Sequence, residues 1–85
     1  MANEKLIGKI THYFTHIGVA VIKLSSAIKD GDKIRIKGAS TNITQQASSM
    51  QIEHKTLNVA KKGQDIGLKV KGRVRPGDAV FLVTA

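Results

Sequence analysis

The chain has 85 residues, 41% hydrophobic and 24% charged, with no cysteine; that length supports one small core and leaves little area for a deep, enclosed active site, disulfide staples or thiolate metal sites. Fourteen Lys and Arg against six Asp and Glu give a net charge of +8, and residues 1–42 and 43–85 each carry seven basic and three acidic side chains, so the folded surface itself is basic and a polyanionic partner is indicated. No run reaches the 18 or so apolar residues that span a bilayer, and Met1 to Lys5 lead into a strand-like run without a cleavable apolar segment, which predicts a cytoplasmic protein with no membrane partner.

Lys5 to Phe14 is β-branched and aromatic, with Leu6, Ile10 and Phe14 on one parity and Lys9, Thr11 and Tyr13 on the other, the pattern of a half-buried strand. Ile17 to Leu24 is almost continuously apolar and short, which predicts a second strand near the core. Asp30-Gly31-Asp32 supplies a turn, and Lys33-Ile34-Arg35-Ile36-Lys37 then alternates strictly, with two isoleucines inward and three cations outward. Residues 39–55 are polar, and their apolar phase changes between Ile43 and Met50-Ile52; one long strand with a bulge reconciles the two phases. Lys61-Lys62-Gly63 reads as a loop with a turn, and Gln64 to Lys71 alternates again, with Ile66, Leu68 and Val70 inward. Gly67 inside that strand suits a bulge or a close backbone approach. Arg75-Pro76-Gly77-Asp78 fits a type II turn before the last strand, 79–83. Six short strands without a helical period predict an all-β fold, a sandwich or barrel occupying 1–85 as a single domain with its core in 5–84.

These elements resemble domain two of the translation GTPases, the β-barrel of elongation factor Tu and initiation factor two. The likeness runs through Gly8-Lys9-Ile10, the apolar stretch 17–24 and Ile28 to Ile34. It is strongest over Ala60 to Gly72, followed by Val74, the turn Arg75-Pro76-Gly77-Asp78 and Val80. A similar barrel is appended to the C-terminal ends of collagenase-like peptidase-family proteins, and Ile10-Thr11-His12-Tyr13-Phe14 with Met50 to His54 is closer in wording to that branch. The resemblance implies a closed, six-stranded Greek-key barrel of the translation-protein type and a stand-alone elongation factor-like role at tRNA or the ribosome. The phosphate loop of the GTPases is absent, so this chain does not hydrolyse nucleotide by that route.

Two basic stripes are the candidate binding residues. Lys33, Arg35 and Lys37 leave one sheet face about 6–7 Å apart, and Lys69, Lys71, Arg73 and Arg75 form a second set across Gly72. Phosphates could be tracked at that spacing, although solvated strand faces carry the same pattern. Only Tyr13, Phe14 and Phe81 are aromatic, which disfavours a stacking platform for single strands. Phe14 and Phe81 are assigned to the core by parity, while Tyr13 could stack on a base.

His12 and His16 are four apart but lack the intervening Glu of a helical zinc pair, and His54 beside Glu53 lacks a third group for acid–base work. Ser25-Ser26 and Ser48-Ser49 sit in no nucleophile elbow, and Asn42-Ile43-Thr44 is a glycosylation triplet without a secretion signal. No catalytic residue, metal or cofactor is expected. The sequence thus predicts a monomeric, non-catalytic module that binds RNA, tRNA or ribosomal RNA, through Lys33, Arg35, Lys37, Lys69, Lys71, Arg73 and Arg75. The alternative is a protein-interaction module that docks onto a partner enzyme, which an exposed apolar patch would favour.

Overall fold

The computed structural model describes residues 3–47, 50–52 and 55–84. Its strands are β1 (Asn3–Phe14), β2 (Val19–Leu24), β3 (Ile28–Lys29), β4 (Lys33–Lys37), β5 (Asn42–Gln46), β6 (Met50–Ile52), β7 (Lys55–Leu57), β8 (Val59–Ala60), β9 (Asp65–Lys69) and β10 (Ala79–Thr84), and among the described residues there is no helix. Eight strands form one sheet in the order β5-β4-β10-β1-β2-β9-β6-β7, while β3 pairs with β8. Every pairing is antiparallel. The all-β class read from the sequence is what folds, with more strands among the described residues than the six expected.

The sheet cannot be flat. β5 and β6 follow one another in the chain yet stand six steps apart in the strand order. Six steps at about 4.8 Å would separate them by roughly 29 Å, whereas the chain from Gln46 to Met50 reaches at most about 14 Å. The sheet therefore curls until its ends approach. Gln45 of β5 spans the remaining gap: its Nε2 donates to the Lys69 carbonyl at 2.9 Å, and its Oε1 accepts from the Lys71 amide at 2.8 Å. Ile43 of β5 lies over Gly72 at the same seam, where an added Cβ would come within 3.1 Å of Ile43 Cδ1. Among the described residues no backbone ladder joins β5 to β9. In place of a six-stranded barrel closed by ladders, the fold is a curled eight-stranded sheet whose seam a side-chain amide bridges.

Inside the curl, Ile7, Ile10, Ile22, Ile34, Ile36, Ile66, Leu68 and Val80 are fully buried, each contributing about 1.5–3 kcal/mol relative to exposure. The strict alternation of β4 works as read, with Ile34 and Ile36 inward and its cations outward. β1 departs from simple alternation. Its pairing shifts register between Leu6 and Gly8 against β10, and between Ile10 and His12 against β2. Each extra residue turns the following side chains to the opposite face. Ile7 joins Ile10 in the core, while Leu6 and Phe14, expected inward, are 54% and 51% exposed. Tyr13, expected outward, packs against the core.

In place of the one long bulged strand expected within 39–55, β5 and β6 are separate strands that stand six steps apart in the strand order. Gly67 pairs with Val21 in unbroken register, so the ladder with β2 has no bulge there, and on its other side Gly67 approaches the Gln51 backbone, where an added Cβ would lie 3.7 Å from the carbonyl oxygen.

One turn design recurs three times. Asp32 N bonds to Lys29 O, Gln64 N to Lys61 O and Asp78 N to Arg75 O, with Gly31, Gly63 and Gly77 at φ of 91°, 87° and 95°. That positive φ at the third position is what a type II turn demands. In each case the fourth residue's side chain also accepts from the first residue's amide: Asp32 at 2.8 Å, Gln64 at 2.7 Å and Asp78 at 2.9 Å. Composition thus encodes each turn as two variable residues, Gly, then Asp or Gln.

Candidate functional site

The seven basic residues do not form one continuous stripe. On β4, Arg35 Nη1 lies 2.7 Å from Glu4 Oε2 and its Nε donates to Thr44 Oγ1 at 3.2 Å. Lys37 Nζ is 3.6 Å from Glu4 Oε1 and 5.9 Å from the centre of the Phe81 ring. Glu4 pairs with Val83 on β10, the strand between β1 and β4, so its carboxylate reaches across β10 to both cations. Two charges read as phosphate contacts are therefore partnered within the chain, and Lys33 is the β4 cation left outside that network among the described residues.

In the second set, exposure alternates without a break: Lys69, Lys71, Arg73 and Arg75 are exposed, while Val70 and Val74 are buried. Parity survives Gly72 even though β9 ends at Lys69. Lys69 stands opposite Val19 on β2. Lys71 instead meets the first set, because Lys33, Thr44, Gln45, Gln46 and Lys71 line one depression of about 430 Å³. The curl at the seam thus unites Lys33 with Lys71. Gln45, 6% exposed, is the residue that holds this arrangement, and the sequence reading assigned it no role. Its parity with buried Ala47 was the available signal.

A second surface is apolar. Phe14 closes β1, and Ile17, 62% exposed, sits in the β1–β2 hairpin loop, where Gly18 N bonds back to Phe14 O at 2.9 Å. With Val19, Val21, Ile52 and Gly67 these two side chains line a groove of about 310 Å³. Gly67 keeps the groove open, since a Cβ there would touch Val19 Cγ1 at 3.4 Å. The bulges in β1 create this surface by turning Phe14 out of the core.

His12 lies on β1 and His16 in the hairpin loop, both exposed, and no group of three metal-ligating side chains occurs among the described residues. Ser48, Ser49, Glu53 and His54 lie outside the described residues. No helix among the described residues is long and apolar enough to cross a membrane.

Solved structures share this curled β fold. The fold is that of the C-terminal domain of a Geobacillus thermoleovorans protein described as a U32 peptidase. One structure of that domain superposes with a TM-score of 0.86, covering 95% of this chain and 93% of the other at 21% identity. Its selenomethionine variant gives a TM-score of 0.85, covering 89% and 96% at 23% identity.

In sequence, the chain is 40% identical over 78 residues to an uncharacterized protease of Methanocaldococcus jannaschii, and 38% identical over 77 residues to a collagenase of Porphyromonas gingivalis. Those stretches cover 91% and 88% of this chain but only 19% and 21% of the relatives, so the chain spans about a fifth of their length. No family sequence profile matches the chain.

These relatives overturn the kinship with the translation-factor barrel, and with it the elongation factor-like role at tRNA and the ribosome. The physical reason is visible in the turns. The residues that carried the resemblance, Ile28 to Ile34, Ala60 to Gly72 and Arg75 to Asp78, include the three type II turns and core aliphatics. They encode a way of bending strands rather than a ligand.

Proposed function

We infer that the chain is a non-catalytic protein-docking module, a single domain over 1–85 with its core in 5–84, that seats on the body of a peptidase-family enzyme. The observation that carries this reading is the groove at Phe14 and Ile17, where two large apolar side chains remain more than half exposed in a domain too small to spare them from its core. Partly exposed aromatics beside an apolar groove are the usual anchors of a protein interface. The likeness to segments of larger proteases supports the same direction. Among the described residues Lys33, Lys69, Lys71, Arg73 and Arg75 have no ion-pair partner, and they add a positive field that would steer an acidic partner face toward the module.

The test is calorimetric titration of the chain into the Methanocaldococcus relative trimmed of its 78-residue matching segment. A saturable one-to-one complex that Phe14→Asp with Ile17→Asp abolishes is the expected result. Binding unchanged by that pair, or no binding at all, refutes the docking reading.

A further inference from the structure

We propose that the depression between Lys33 and Lys71 is an acceptor for the carboxylates of an acidic peptide segment on the partner protein. The inference rests on the docking reading and names the partner chemistry that its basic surface recognises. Three observations carry it.

First, the charge there is open. Glu4 holds Arg35 and Lys37, whereas among the described residues Lys33 and Lys71 have no carboxylate within ion-pair distance. Second, the cations are placed by a buried group. Gln45 spends both ends of its amide on the backbone at Lys69 and Lys71; it thereby fixes the point from which the Lys71 side chain leaves, beside the strand next to Lys33. Third, the size and lining select among anions. A volume of about 430 Å³ far exceeds the roughly 30 Å³ share of one water, so the depression accepts a length of chain rather than a single ion. Lys33, Thr44, Gln45, Gln46 and Lys71 line it without an aromatic ring, and a nucleobase would find no face to stack on. Two ammonium groups with amide and hydroxyl neighbours suit carboxylates spaced along an extended peptide.

A fluorescently labelled octaglutamate peptide is the probe, titrated by anisotropy into the 85-residue chain at low and at physiological salt. Binding that weakens with salt is expected. Lys33→Glu with Lys71→Glu should reduce affinity at least tenfold, and Lys33→Gln with Lys71→Gln should reduce it by a smaller factor while leaving the thermal melt unchanged. Lys55→Glu with Lys62→Glu removes the same charge at two other exposed positions and should cost less than threefold. Equal losses from the two charge-reversed pairs would mean that net charge alone binds the peptide, which overturns the site.

Bulk tRNA forms a second arm. If it binds more tightly than the peptide and is lost in the Lys33/Lys71 variant, the ligand is a nucleic acid and the proposal falls. Failure of octaglutamate to bind, while the trimmed peptidase relative still does, overturns the acceptor and leaves the docking reading standing. If neither binds, both fall.

Discussion

Gln45 ties the two ends of the curled sheet together, and replacing it with leucine keeps volume while removing both hydrogen bonds that cross the seam. In the native seam Nε2 donates to Lys69 O and Oε1 accepts from Lys71 N. Each bond contributes about 1 kcal/mol net, and a partner left unpaired away from water costs about 1–3 kcal/mol. The seam is only partly buried, so water recovers some of that cost, and about 3 kcal/mol is the expected loss for Gln45→Leu. A domain of this size has about 4–13 kcal/mol in total, so the change removes a large share of the margin.

At roughly 4–8 °C per kcal/mol, the melting temperature should fall by about 12–24 °C in a circular-dichroism melt, with a matching shift of the urea midpoint. Gln46→Leu, at the exposed neighbouring position, serves as the control and should stay within about 0.5 kcal/mol. A Gln45→Leu loss below about 1 kcal/mol would refute the reasoning that this side chain joins β5 to the β9 end.

Two further changes probe other parts of the fold. Gly38→Ala should destabilise the chain by about 1–3 kcal/mol through overpacking, because the new Cβ would overlap the Asp78 carboxylate that caps the turn before β10; urea titration alone and in combination with Asp78→Ala checks it, and the double variant should show a strongly non-additive loss. Glu4→Gln releases Arg35 and Lys37 from their shared carboxylate at a cost of only about 0.2–1 kcal/mol, a difference that should shrink in a melt at high salt.

Much of the fold was legible because two signals are local. Strict alternation set Ile34 and Ile36 against their flanking cations, and Gly at the third turn position located the bends at Gly31, Gly63 and Gly77. β1 was misread for a non-local reason. Its two register shifts are fixed by pairing with β10 and β2, and nothing in Leu6 to Phe14 alone marks where the parity changes. Assigning Phe14 to the core followed from that and hid the apolar groove.

The seam lies further still from what a sequence displays, since Gln45 and Lys71 are 26 residues apart and only the curl brings them together. The basic residues were easy to find but their partners were not. Glu4 pairs with two of them across an intervening strand, so a count of cations overstated the open charge.

The central claim is that the Phe14 and Ile17 groove docks onto a peptidase body, and chemical-shift mapping tests it most directly. With the chain labelled with ¹⁵N and the trimmed Methanocaldococcus relative added, the account predicts selective broadening at Phe14, Ile17, Val19, Val21, Gln51, Ile52 and Gly67, the residues around that groove. Broadening confined to Arg73 and Arg75, or spectra unchanged at saturating partner, would contradict it.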